Sequence, residues 1–339
     1  QDSVRREAVQ LMRAQFQKDL AVVEAYGKEQ PKGSAPTISL LAKWLPRENS
    51  HFDKRLNFCL QFLQADEKDG WESSSQKAYR QQVSKLTSYL SLPEVYLSAK
   101  RADEIQFSKM ASKATFKLSR ALLNETQDGD VRSNDPKRIK CADLFVQYIV
   151  EKGLKGKALM PDEIVAEILK GKVSPLRAKV LDAQWKDLWK GVVDQVKQRA
   201  AEDGLDFDPS KMVPLSDVSG SMYGKPIEVS IAMGIGISEI THPAFQNMVL
   251  TFDSVPEWHM LNPGDSIVQK VESLSLAPWG GSTNFKAAYE KILEVCVKHK
   301  LAKEDVPSLI VISDMQFNQA NCYWSRKPVP MHEVLKGRF

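Results

Sequence analysis

Apolar residues in the first 200 positions recur every three or four residues, which is the spacing of one face of an amphipathic helix. No clean internal repeat accompanies this period, so we expect an array of antiparallel helices that is HEAT-like or irregular. The helical segments predicted in this way are 4–26, 52–63, 77–90, 112–123, 141–153, 161–171 and 180–196, and polar loops are predicted at 65–76 and 123–138.

The pattern changes after the acidic segment 200–210. Short continuous apolar runs now alternate with helix-length segments, which is typical of a parallel sheet covered by helices on both faces. We therefore predict an α + α/β protein, with a helical domain at 1–204 and a doubly wound, Rossmann-like domain at 205–339. The predicted strands are 212–215, 247–252, 257–261 and 307–313, and the predicted helices are 226–240, 265–274 and 285–299.

Composition and charge support two parts with different partners. The 339 residues are 42% hydrophobic and 27% charged, as in a globular protein of about two domains. Residues 1–200 hold 35 Lys and Arg against 26 Asp and Glu, whereas residues 201–339 hold 12 against 17. The basic part permits an anionic partner without requiring one.

The cysteines and the apolar runs indicate the compartment. Four widely separated cysteines, without a C-x-x-C pair, favour a reducing, cytoplasmic environment over a disulfide framework. No apolar run approaches the length of a membrane span. The chain starts with Gln1 and has no initiator Met, so we expect a processed form or a fragment.

Oxygen-bearing side chains lie at the ends of predicted strands or in the loops next to them, in three places. Asp217, Ser219 and Ser221 come directly after the run Met212–Leu215, Thr283 lies in a glycine-flanked loop, and Asp314 ends the last strand. Ligands of open α/β sheets bind at the carboxyl ends of strands. Hydroxyls combined with only two carboxylates suit Mg²⁺ or Mn²⁺, with Gly220 expected to allow the loop to bend.

These residues resemble the metal-ion-dependent adhesion site of von Willebrand factor A (vWA) domains. The likeness covers about residues 210–320, and all five positions of the family motif are filled: Asp217, Ser219, Ser221, Thr283 and Asp314. The resemblance implies that Ser219 and Ser221 bind the metal directly. It implies that Thr283, Asp217 and Asp314 bind directly or through water, and that a partner's Asp or Glu completes the coordination.

Other stretches resemble a poorly characterised plant, fungal and large-virus family with a helical N-terminal region. These stretches are KWLPREN at 43–49, SKMASKATFKLSRALL at 108–123, DVSGSM and SDMQF. The architecture is also similar to that of Ro/TROVE ribonucleoproteins, which implies RNA binding by the helical part. One feature departs from the vWA pattern, because only 25 residues follow Asp314. We therefore expect the vWA-like domain to be incomplete at its C-terminus. We also expect the outer edge of strand 307–313 to need cover.

Other interpretations of these residues compete with a metal site. The Asp217 cluster could cap a helix, although a cap needs one such residue and not three. Gly234-Ile235-Gly236 is a fragment of a dinucleotide fingerprint, but its place within a helix favours close packing. No P-loop and no G-x-S-x-G motif is present, and Ser219 replaces the second acid of an aspartate phosphotransfer site.

We therefore predict a non-enzymatic protein in which a helical platform carries a metal-dependent protein-binding module. The partner would supply an Asp or Glu to the Mg²⁺ or Mn²⁺. The alternative is an RNA-binding scaffold of the Ro/TROVE type in which the vWA domain is structural and Lys and Arg of residues 100–200 bind phosphates.

Overall fold

The computed structural model describes residues 2–29, 36–56, 59, 62, 72–205, 207–277 and 284–313. The chain divides into two compact units, residues 1–108 and 109–339. Among the described residues, none of the helices has both the length and the apolar character that crossing a membrane requires.

The first unit is helical, as its apolar period predicts. Phe16 on the long first helix packs edge-on against Phe62, with ring centroids 5.2 Å apart. Buried Asp19 accepts a hydrogen bond from the Ser39 backbone N–H at 3.1 Å, and Tyr79 donates to the Pro46 carbonyl at 2.7 Å. The helices are α1 Asp2–Glu29, α2 Leu41–Trp44, α3 His51–Leu56, α4 Glu72–Tyr89 and α5 Pro93–Ser98.

Helix α4 begins earlier than the sequence pattern predicts. Residues 72–76 belong to the helix, although their polar composition predicts a loop. Polar residues are compatible with the first turn of a helix, so composition alone misplaces this boundary.

The second unit joins four further helices of the predicted helical region to a mixed α/β part. Local signals explain several of its helix starts. Ser174 accepts a hydrogen bond from the Arg177 N–H at the start of the helix Pro175–Glu202, and Ser266 forms a capping box with Gln269 at the start of the helix Ile267–Ser275. The elements are α6 Ser112–Leu122, α7 Pro136–Lys152, α8 Pro161–Leu169, α9 Pro175–Glu202, β1 Met212–Ser216, α10 Lys225–Ile240, β2 Met248–Thr251, β3 Trp258–Met260, α11 Ile267–Ser275, α12 Phe285–Lys298 and β4 Ser308–Ile312.

The sheet has the strand order β3-β2-β1-β4 within the described residues. Strand β1 pairs in parallel with both β2 and β4, whereas β3 pairs antiparallel with β2. The sheet is therefore mixed and not purely parallel. Residues 308–312 have 212–216 as their inner neighbour. Strand β4 stands at the end of this order and is half-exposed, so its apolar composition does not place it in the middle of the described sheet.

Helices cover both faces of the sheet. Val249 of β2 belongs to a core shared with α8, α9, α10 and α11, whereas Leu250 packs with Ala288 of α12 on the other face. This alternation follows from the two-residue period of a strand. The three parallel strands run in one direction, so their carboxyl ends at Ser216, Thr251 and Ile312 lie along one edge.

The core of the second unit crosses the boundary that the sequence predicts at 204/205. Trp185 and Leu188 of α9 share one apolar cluster with Ile231 and Ile235 of α10. Both tryptophans of the predicted helical stripe, Trp185 and Trp189, are buried as expected. The compact units thus divide at 108/109, because α9 buries its apolar face against the helices of the α/β part.

The two glycines of the fingerprint fragment serve packing inside α10. A Cβ on Gly234 would overlap the Ser216 hydroxyl, and a Cβ on Gly236 would overlap the Trp189 indole. Gly234 therefore lets the helix approach the sheet, and Gly236 lets it approach α9. Close packing, not dinucleotide binding, accounts for the pair.

Candidate functional site

The loop that follows β1 carries a buried carboxylate that is held by two hydrogen bonds. Asp217 is 2% exposed, and its own N–H donates to the Ile312 carbonyl at 3.0 Å. Its Oδ1 accepts from the Ser219 backbone N–H at 2.9 Å, and its Oδ2 accepts from the Ser313 hydroxyl at 2.9 Å. These bonds fix the carboxylate at the carboxyl edge of the sheet.

Two serine hydroxyls lie together at the outer side of this loop. The Oγ atoms of Ser219 and Ser221 are 3.1 Å apart, and the side chain of Ser221 is exposed. Met222, in the same loop, is buried and holds the loop against the protein interior. Tyr223 is 89% exposed beside it. The loop thus presents two oxygen donors and an aromatic ring to solvent.

The glycine that the loop requires is not the one expected from the sequence. Gly224 has φ +90°, a conformation that L side chains rarely adopt, and it immediately precedes α10. Gly220 has no positive φ, and a Cβ there would meet open space. The bend therefore depends on Gly224.

Two of the five predicted ligands, Thr283 and Asp314, lie outside the described residues. Their immediate neighbours are described. Ser313 donates its hydroxyl to Asp217, and the Asn284 N–H donates to the Asp253 carbonyl at 3.2 Å, just beyond the end of β2. The structure therefore brings together the side chains of Asp217, Ser219 and Ser221, and metal binding by any of the five residues stays a prediction.

Two residues at this edge were missed by sequence reasoning. Ser313 holds Asp217 in place, although only the neighbouring Asp314 was singled out in the SDMQF stretch. Asp253 follows β2 at the same carboxyl edge and accepts bonds from the backbone and hydroxyl of Ser254. A carboxylate just after the end of the apolar strand β2 was the available signal for Asp253, whereas nothing comparable marked the Ser313 hydroxyl.

The donors of the loop fit a hard cation in their chemistry. All of them are oxygens, and among the described residues no Lys or Arg forms an ion pair with Asp217. In the same part of the chain no three His, Cys, Asp or Glu side chains converge as a metal cluster. A cation at this loop would therefore need, besides Asp217, hydroxyls, water and residues outside the described ranges.

Helix capping does not account for the three polar side chains. Helix α10 has Gly224 as its N-cap, without a side-chain cap bond. Ser219 stands before the short 3₁₀ turn 220–222 and makes no cap bond there either. Only Asp217 forms a local turn, through the Ser219 N–H. The two hydroxyls are thus left for another role.

Comparison with known proteins gives two family matches. Residues 6–199 match Domain of unknown function (DUF2828), and residues 211–337, which include all five predicted ligands, match Domain of unknown function (DUF7788). An uncharacterized protein of Acanthamoeba polyphaga mimivirus is 31% identical over 320 residues, or 93% of this chain. The chain spans about half of that relative, with 51% of its length covered.

No solved structure matched the chain. The DUF2828 match alone extends over more than half of the sequence. The chain therefore belongs to the family Domain of unknown function (DUF2828).

Proposed function

We propose that this protein is a metal-dependent protein-binding module, with a vWA-type site built on a helical platform. The site would hold Mg²⁺ or Mn²⁺ through Asp217, Ser219, Ser221, Thr283 and Asp314. An Asp or Glu of a partner protein would complete the coordination. The proposal rests above all on one observation, the pair of serine hydroxyls 3.1 Å apart beside a fixed carboxylate.

The separation of the hydroxyls agrees with octahedral coordination. Ligand oxygens about 2.1 Å from Mg²⁺ at right angles to one another lie about 3.0 Å apart. The Oγ atoms of Ser219 and Ser221 differ from this separation by only about 0.1 Å. Both could bind one cation without a change in the loop.

The charge of the site favours an acidic partner. Asp217 is the one carboxylate among the described members of the predicted set, and Asp314 would add a second. A divalent cation that is also bound by neutral hydroxyls keeps positive charge available for a further carboxylate. The exposed ring of Tyr223 next to it suits a protein interface, where Tyr is enriched relative to the rest of the surface.

A thermal shift experiment tests the metal. At about ten times its Kd, Mg²⁺ should stabilise the folded chain by about 1.4 kcal/mol, which raises Tm by roughly 3–6 °C for a unit of this size. The Ser219→Ala plus Ser221→Ala variant should lose this response. An unchanged shift in the double variant would contradict the assignment.

A capture experiment separates the proposal from its alternative, the RNA-binding scaffold. Immobilised protein should retain partners from a cell lysate in Mg²⁺ and release them in EDTA, with or without RNase. Capture that survives EDTA but is lost after RNase treatment would favour the RNA-binding scaffold instead.

A further inference from the structure

We propose that the groove between α7 and α9 binds the phosphodiester backbone of a single-stranded nucleic acid, independently of the metal site. The groove has a volume of about 530 Å³. Lys152 stands on its α7 side, and Lys179, Lys186 and Lys190 line its α9 side.

The lysines of α9 form one row along the helix. Lys179, Lys186 and Lys190 are seven and four residues apart, so they point within about 40° of one another and span about 16 Å. Charges spread over this length cannot share a single phosphate. They match a linear polyanion that passes along the groove.

The two carboxylates of the groove are already occupied by backbone amides. Asp182 Oδ1 accepts from the Ile267 N–H at 2.6 Å. Asp187 Oδ2 accepts from the N–H groups of Gly156 and Lys157 at 2.7 and 3.2 Å. Burial also raises the pKa of Asp182, against the opposing effects of its hydrogen bond and of nearby lysines. The two acids are thus held in place by backbone amides, and their formal charges still offset two of the four lysines.

The lysine amines themselves are unpaired. Within the residues that the structure describes, none of Lys152, Lys179, Lys186 and Lys190 makes an ion pair. The carbonyls at the C-terminal end of α7 act on an anion like about half a negative elementary charge. This partial charge is small beside the charges of the four lysines. Four lysines against two aspartates leave the lining of the groove with a formal charge of +2.

The remaining lining favours a nucleic acid over a specific peptide. Ile149, Leu154 and Ala183 give an apolar floor, and the groove offers no other polar side chain that could select a sequence. The described lining holds no aromatic ring on which bases would stack, so the row of lysines would carry the binding through the phosphodiester backbone. We therefore expect sequence-tolerant binding that weakens as salt increases.

Fluorescence anisotropy with a labelled RNA of about 15 nucleotides tests this inference. The full chain should bind with a logarithmic salt slope near −3, from about −0.7 for each of four phosphate contacts. Lys186→Glu plus Lys190→Glu should weaken binding at least about tenfold and reduce the slope by about 1.4. The neutral pair Lys186→Gln and Lys190→Gln should reduce the slope equally, which controls for misfolding of the charge-reversed variant.

Lys298→Glu plus Lys303→Glu is the matched control, because both lysines are exposed and the net charge changes equally. This variant should bind RNA like the wild type. Equal RNA affinity of the wild type and the Lys186/Lys190 variants would overturn the inference. So would stronger binding of polyglutamate or of phosphatidylserine vesicles than of RNA through the same lysines.

Discussion

Helix α10 packs against Trp189 of α9 at Gly236, whose side chain is a single hydrogen atom. Trp189 is buried against this position and leaves no room for a methyl group. Gly191 offers a contrast, because a Cβ there would meet only the Lys157 side chain, with Cγ at 2.8 Å, and that side chain is flexible. The same residue type thus has two different roles in the two helices.

We predict that Gly236→Ala destabilises the second unit by about 2 kcal/mol. Overpacking should cost about 3 kcal/mol, partly offset by about 1 kcal/mol of gained helix propensity. Gly191→Ala should be neutral or stabilise by up to about 1 kcal/mol. Guanidinium unfolding followed by tryptophan fluorescence gives both values. Equal midpoints for the two variants would show that Trp189 can move aside.

At the scale of elements, Glu239 of α10 ties two other helices together. Its Oε2 accepts from the Trp185 indole N–H of α9 at 2.8 Å, and its Oε1 accepts from Lys270 of α11 at 2.6 Å. The Lys270 residue is only 6% exposed. Removing the carboxylate would leave a buried ammonium group without its counter-charge.

Glu239→Ala should therefore lower the free energy of unfolding by about 3 kcal/mol. Adding Lys270→Met should recover at least half of the loss, because no unpaired charge then remains. The exposed pair Lys291–Glu294 is the control, and Glu294→Ala should change stability by less than about 0.5 kcal/mol. A double variant no more stable than Glu239→Ala would mean that the indole bond dominates.

The elements themselves were largely predictable from their apolar periods. The pattern predicts the four strand segments between 212 and 313, but it predicts a parallel sheet, whereas 258–260 pairs antiparallel with β2. The packing partner of α9 was not predictable, because a helix stripe shows which face is buried and not what covers it. The hydrogen bond that fixes Asp217 could not be predicted either, because its donor Ser313 lies 96 positions away in sequence.

At the scale of the whole molecule, the helical and α/β parts of residues 109–339 share one core. Ile164 and Leu188 on one side and Ile235 and Val271 on the other belong to the same apolar cluster. A fragment cut at the sequence boundary of 204/205 would expose this surface. The family matches meet near the same boundary, between residues 199 and 211.

We predict that residues 109–339 unfold cooperatively as an isolated fragment, whereas residues 205–339 do not. Loss of α8 and α9 exposes the apolar faces of α10 and α11, which should bind a hydrophobic dye. Thermal unfolding by circular dichroism, together with dye fluorescence, measures both. A cooperative transition without dye binding in the shorter fragment would show that the α/β part folds alone.

The central claim is that the Asp217 loop holds one divalent cation, and electron paramagnetic resonance of Mn²⁺ tests it most directly. Titration of the full chain should show one bound Mn²⁺ that Mg²⁺ displaces. Ser88→Ala plus Ser98→Ala removes two exposed hydroxyls elsewhere and should leave this binding unchanged. Ser219→Ala plus Ser221→Ala should abolish it. Absence of bound Mn²⁺ in the wild type, or equal binding by the Ser219/Ser221 variant, would contradict the account.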